Sequence, residues 1–184
     1  MINTTHTADR TMARLKIVDE HIARENDHDL DGILATFGRT ARYDDEPWGG
    51  HYIGHAGVRT YYESLLRALP DLRIEVQQRY ASVDAVILEV IVCGHHLGSW
   101  RGLLPTAHFV QFPLCGIFVF DEQNRLAGEK IYYDRATVLR QLGVFHEPAG
   151  IVGLVATILT HPVTTVRTIG RKIFGTASSR RMMK

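Results

Sequence analysis

Between Asp9 and Asn26 apolar residues recur at Met12, Leu15, Val18 and Ile22, three to four apart, which predicts an amphipathic helix. Asp29 stands where an N-cap belongs, ahead of a short helical run carrying Leu30, Ile33 and Leu34. A third helix is predicted from about Ala56 to Leu69, with Val58, Tyr61, Tyr62, Leu65 and Leu66 as its apolar face and Pro70 and Asp71 as its stop. Between these two helices, ARYDDEPWGGHYIGH is rich in turn residues and reads as a short strand followed by a loop. After Asp71 the period changes. LRIEVQQRY alternates, AVILEVIVCGHHLGSW is long and β-branched, and HFVQFPLCGIFVFD and RLAGEKIYYD are joined by the hydrophilic turn DEQN.

Helices first and long hairpin-connected strands afterwards predict an α+β fold, the helices covering one face of a curved antiparallel sheet. This domain is assigned residues 1–147. Residues 148–184 form a different kind of segment, a helical tail that is apolar first and then basic. AGIVGLVATIL is too short to span a bilayer. Pro162 suits the first turn of a further helix, in which Val163, Val166, Ile169 and Ile173 share a stripe and Arg167, Arg171 and Lys172 lie elsewhere. A basic amphipathic helix fits a membrane surface, a partner subunit, or the protein's own body.

Composition narrows the classes of function. A 45% hydrophobic and 22% charged chain of 184 residues is that of a soluble globular protein. A net charge of +1 argues against nucleic-acid binding. Cys93 and Cys115 lie singly in apolar runs without CxxC spacing, which points to a reducing compartment and no structural metal. The N-terminus has no apolar stretch of the signal-peptide kind, so a cytoplasmic location is expected.

The run EKIYYDRATVLRQLG, Glu129 to Gly143, concentrates the candidate chemistry. A strand there leads straight into a short helix, and carboxyls and phenols lie beside an apolar wall, as acid–base chemistry on a hydrophobic molecule requires. Asp134 fits either that role or an N-cap, and a cap would hold its pKa down. Tyr133 fits an enolate-stabilising donor or a core aromatic. His95 and His96 are adjacent in a strand, so only one faces inward, and without a third ligand they make a weak metal signal. Tyr43, Trp48 and Tyr52 flank the Gly49–Gly50 loop and suit either pocket walls or a loop anchor. The acidic cluster Asp44, Asp45 and Glu46 is expected to be solvated.

The segment GHHLGSWRGLLPTAHFVQFPLCGIFVFDEQNRLAGEKIYYDRATVLRQLG resembles the SnoaL-like polyketide cyclases and ester cyclases of the nuclear transport factor 2-like, or ketosteroid isomerase-like, superfamily. The resemblance rests on His96-Leu97-Gly98, on Gly102 with Pro105-Thr106, on the acidic hairpin turn, and on Leu139-Arg140-Gln141-Leu142-Gly143. Upstream, IGHAGVRTYYESLLRALPDLRIEV resembles the family's third helix, and the likeness spans about residues 9–145. It implies a cone-shaped α+β barrel with an apolar pocket, dimerisation through the exposed sheet face, and aldol-type ring closure without metal or organic cofactor. Counting back from the closing motif puts the family's catalytic aspartate at Ile131 and a second acidic position at Asp134. A family glutamine and histidine fall at Cys115 and Ile117, and His96 takes a family histidine position.

Period-2 alternation then puts Glu129, Ile131 and Tyr133 on the pocket face, with Glu129 as the replacement acid–base group or as a rim charge paired with Arg101 or Arg125. The expected catalytic set is Glu129, Asp134, Tyr133 and His96. The expected substrate contacts are Tyr43, Trp48, Tyr62, Trp100, Cys115, Ile117 and Ile131, around a hydrophobic, carbonyl-containing small molecule. A non-catalytic binding module is the alternative, and an epoxide hydrolase-like activity the third reading.

Overall fold

The helical period at the start of the chain produces α1 (Thr4–Asn26), and the Asp29 cap starts α2 (Leu30–Thr36) by accepting a hydrogen bond from the Gly32 amide at 2.9 Å. The computed structural model describes residues 4–146, 150–163 and 165–167. The remaining elements are β1 (Arg42–Asp45), a 3₁₀ turn (Glu46–Trp48), β2 (Gly50–Ile53), α3 (Gly54–Ala68), β3 (Arg73–Ala81), β4 (Ala85–His95), β5 (Phe109–Phe120), β6 (Leu126–Tyr133), α4 (Arg135–Gln141) and α5 (Gly150–Thr160). Residues 1–144 make one unit and 145–184 a second. Of the stripe expected after Pro162, Ile169 and Ile173 lie outside the described residues.

The six strands form one sheet in the order β2-β1-β6-β5-β4-β3, whose two edges do not meet, so the sheet is open rather than a closed barrel. The turn-rich stretch that reads as one strand and a loop is a hairpin, β1 pairing with β2. The sheet is also not wholly antiparallel: β1 runs parallel to β6, with Tyr43 opposite Glu129 and Asp45 opposite Ile131. Hydrophobic alternation carries no strand direction, so the sequence holds no signal for this pairing.

Inside the curve, Val86, Leu88, Val90 and Val92 of β4 face Phe112 and Phe118 of β5 and Val58 and Tyr62 of α3 in one core. The buried stripe of α1 is not the purely apolar one. Met12 is 66% exposed, while Arg14, Val18, His21 and Glu25 are buried. These four are spaced four, three and four apart, so polar side chains occupy the inward helical face.

The loop after β4 is pinned to the end of α3. The Leu97 and Gly98 amides both donate to the Ala68 carbonyl, at 3.0 and 3.2 Å, and a Cβ at residue 98 would collide with the Arg67 carbonyl oxygen. Gly98→Ala is therefore expected to destabilise the protein by about 2 kcal/mol or more, seen as a lowered urea midpoint. A midpoint equal to that of the wild type would contradict this contact.

Candidate functional site

Glu129 does not sit at the sheet rim with Arg101 or Arg125. It is buried, its Oε2 3.2 Å from His21 Nε2, and it accepts the Tyr62 hydroxyl at 3.1 Å. The three residues come from β6, α1 and α3. Glu25, one turn beyond His21 on α1, brings its Oε1 to 3.9 Å from the same ring nitrogen. The Thr36 hydroxyl donates to the Ile33 carbonyl at 2.6 Å, so toward His21 Nδ1, 2.8 Å away, it acts as acceptor. That fixes a proton on Nδ1 and turns Nε2 toward Glu129 and the Tyr62 hydroxyl, the latter at 3.1 Å.

Charge in this enclosure is strongly conditioned. Burial, reinforced by the neighbouring Glu129, pushes Glu25 up to about 7, against the opposing pull of His21 and Tyr62. Burial opposes protonation of His21, but Glu25 and Glu129 outweigh it, and its pKa is raised. The ligand atoms of His21, Glu25 and Glu129 lie within 4.8 Å of one another, so this is the group best suited among the described residues to hold a cation. The Tyr62 hydroxyl, at 3.1 Å from both His21 Nε2 and Glu129 Oε2, already links two of these atoms by hydrogen bonds.

Glu25 and Glu129 reach the wall of a largely apolar cavity in the core, whose walls also include Tyr43, Ile131, Tyr133 and Trp100. Its interior leaves about 60 Å³ for the centres of water-sized spheres. That is several times what one water needs. On β6, Glu129, Ile131 and Tyr133 all contribute to this wall, as strand alternation requires.

His96 also lines the cavity and is 1% exposed. Its Nδ1 accepts the Thr106 amide at 3.3 Å and lies 3.1 Å from the Thr106 hydroxyl, which itself accepts the His108 amide at 3.4 Å. With hydrogens directed at Nδ1, the neutral ring carries its proton on Nε2. That Nε2 has no hydrogen-bond partner among the described residues. Burial holds the His96 pKa down and favours this neutral form.

Behind Tyr133 lies a second charged pair. Asp45, fully buried, is ion-paired with Arg101, whose guanidinium sits 5.0 Å from the Trp48 ring and 5.6 Å from that of Trp100. The Asp44–Asp45 cluster expected in solvent is thus inside, because β1 is flanked by strands on both sides. Burial raises the Asp45 pKa despite Arg101, and burial together with the Asp45 charge raises the Tyr133 phenol. Asp45 Oδ1 and Arg101 Nε have no hydrogen-bond partner among the described residues.

Several expected contacts lie elsewhere. Cys115 and Ile117 pair across to Tyr132 and Lys130, on the face opposite Phe112 and Phe118, so both are outside the cavity. A one-residue offset on a strand reverses the face. Trp48 packs on Trp100 and Arg101 rather than on the cavity, and Tyr62 reaches Glu129 from behind the wall. Asp134 caps α4, accepting the Ala136 amide at 2.9 Å and the Thr137 hydroxyl at 2.5 Å, and the Thr137 hydroxyl bond first of all lowers its pKa. His21, Glu25, Thr36 and the Asp45–Arg101 pair are the groups that the sequence reading misses. The spacing of His21 and Glu25, in step with Val18, is the signal that would have found the first two.

The raised pKa values have a sign that can be measured. Glu25 holds its proton in the folded state up to about 7, against 4.5 for the free side chain, so its contribution to stability is present below 4.5 and lost as pH rises through 7. His21, raised from 6.5, acts in the same direction at higher pH. Glu25→Gln is therefore expected to flatten the loss of stability between pH 5 and 8 in urea unfolding. An unchanged slope would show that Glu25 is not held protonated.

Comparison with known proteins gives the site its context. The family model of the SnoaL-like polyketide cyclases matches residues 12–142. No curated protein matches the chain in sequence. Among solved structures, AclR from Streptomyces galilaeus, provisionally assigned as a hydroxylase, superposes with a TM-score of 0.65 at 25% identity, over 74% of this chain and 99% of that one. IdmH from Streptomyces antibioticus, provisionally assigned as a polyketide cyclase, gives 0.59 at 18% identity, over 71% and 99%. SalBIII, named an epoxide hydrolase/cyclase-like enzyme with a role in pyran ring formation in the polyether salinomycin, gives 0.58 at 20% identity, over 66% and 91%. With the open six-stranded sheet, the N-terminal helices and a family match over most of its length, the chain belongs to the SnoaL-like polyketide cyclase family.

Proposed function

We propose that this protein is an acid–base enzyme that moves a proton at a carbon beside a carbonyl group of a hydrophobic small molecule, forming an enolate that closes a ring or isomerises. The observation that carries this reading is Glu129, a buried carboxylate at the wall of an apolar cavity, backed by His21 and Tyr62. Glu129 takes the proton. His21, oriented by Thr36, and the Tyr62 hydroxyl bear on its charge from behind. His96 Nε2–H, which has no hydrogen-bond partner among the described residues, donates to the carbonyl oxygen as negative charge develops there. Tyr133 borders the same space and orients the substrate. The scheme draws on no cofactor. The cavity takes the reactive end of a substrate, and a larger polyketide-like body extends beyond it.

Asp134 has no part in this scheme, since its carboxylate is spent on the α4 cap. An epoxide-opening reaction draws on Asp45 and Arg101, but neither lines the cavity, which ranks it lower. A ligand-binding module is the second reading, favoured by the hydrogen bonds that already satisfy Glu129.

The test is deuterium exchange at the acidic carbon of a hydrophobic aryl β-keto ester, followed by NMR. Glu129→Gln is expected to slow enzyme-catalysed exchange by about 10²–10⁴-fold, and Asp134→Asn to leave it within about twofold of wild type. Ester binding without exchange in the wild type would favour the binding module. Full exchange by Glu129→Gln would overturn the assignment of the base.

A further inference from the structure

The second unit of the chain has features that the cavity chemistry does not use. Helix α5, GIVGLVATILT, carries no charged side chain. At 100° per residue, Ile151, Val152, Leu154, Val155, Ile158 and Leu159 share one arc of about 160°. That arc is open: Ile151 is 83% exposed, and Val152 and Leu159 are each 75% exposed. The opposite face holds Gly153, Ala156, Thr157 and Thr160. The threonine hydroxyls there are satisfied within the helix, Thr157 donating to the Gly153 carbonyl at 2.8 Å and Thr160 to that of Ala156 at 2.7 Å. The helix thus has one broad apolar face and an opposite face of small residues whose polar groups need no outside partner.

Charge distinguishes among the surfaces that could cover this arc. From Pro148 to the C-terminus the chain has six basic residues, Arg167, Arg171, Lys172, Arg180, Arg181 and Lys184, and no acidic one. These are six of the 21 Lys and Arg residues, so the rest of the chain carries 15 basic against 20 acidic residues. A second copy of the tail would meet the first with like charge, whereas an anionic surface attracts the tail and repels the remainder of the protein. The length of α5 fixes how it would lie. Its 11 residues span about 16 Å, half of a hydrocarbon core of about 30 Å. No helix among the described residues is long and apolar enough to cross a membrane.

We propose that the segment from Gly150 onward binds the surface of an anionic phospholipid bilayer. The apolar arc of α5 lies at the boundary between headgroups and acyl chains, and the basic residues that follow neutralise headgroup phosphates. Neither part suffices by itself: a short apolar helix partitions weakly, and basic residues alone are held only within a Debye length of the surface.

The test is co-sedimentation of the full chain with vesicles of phosphatidylcholine alone or of equal parts phosphatidylcholine and phosphatidylglycerol. Binding is expected only to the anionic vesicles, weakening about tenfold or more when salt is raised from roughly 0.1 to 0.5 M. Arg167→Glu, Arg171→Glu and Lys172→Glu together are expected to lower the affinity about 100-fold or more, and the double substitution Ile151→Asp, Leu154→Asp at least about tenfold. These substitutions leave every residue of the proposed catalytic scheme intact, so the ester exchange assay is expected to stay unchanged and separates this proposal from that for the catalytic site. Absence of binding to anionic vesicles at low salt, or equal binding to both compositions, overturns the proposal. So does concentration-dependent self-association, removed by Ile151→Asp and Leu154→Asp, in place of vesicle binding.

Discussion

The contact between His21 Nε2 and Glu129 Oε2 joins the first helix to the last strand through the interior, and much of the structure serves to make it tolerable. An ionisable group taken out of water costs several kcal/mol unless its lone pairs and protons are met. Here α2 supplies the Thr36 hydroxyl to one side of the imidazole, α3 supplies the Tyr62 hydroxyl to the carboxylate, and α1 itself adds Glu25. Each helix of the layer thus contributes a polar group as well as apolar surface. Loss of one partner would strand the others, so the network constrains the packing of all three helices on the sheet at once.

The sheet arranges the rest of the cavity around that point. The parallel pairing of β1 with β6 sets Tyr43 beside Glu129 and Asp45 beside Ile131. The same register carries Asp45 behind Tyr133, where Arg101 and the two tryptophans enclose it. The cavity is therefore apolar over most of its wall and polar at separate places: the carboxylates of Glu25 and Glu129, the Nε2 of His96, and the phenol of Tyr133.

How much of this was legible in the sequence depended on whether a residue's position follows from local pattern. Alternation along IYYD's strand assigned Glu129, Ile131 and Tyr133 to one face, and that assignment requires no knowledge of neighbouring strands. The family itself was legible from the His96-Leu97-Gly98 and Arg140-Gln141-Leu142-Gly143 signatures, which the match over residues 12–142 covers up to Leu142. Cys115 and Ile117, placed by likeness to the family pattern, lie on the strand face away from the cavity, and a single position along a strand inverts the face. His21, Glu25 and Asp45 escaped because their charge suggests solvent, and only the tertiary partners Thr36, Tyr62 and Arg101 make their burial affordable.

The tautomer of His96 has a consequence for how the two parts of the cavity respond to acidity. Two hydrogens from Thr106 occupy Nδ1, and burial keeps the ring neutral, so its donor is the same on either side of neutrality. Glu25, in contrast, has its pKa pushed up by burial to about 7 and exchanges its proton within the physiological range, beside His21, whose pKa is also raised. On the proposed reading, recognition of the substrate oxygen and removal of the carbon-bound proton are thereby uncoupled. On that reading acidity would adjust the turnover of bound substrate through the charge of Glu25 beside Glu129 while leaving its affinity nearly constant, so that one small cavity could be throttled without being emptied.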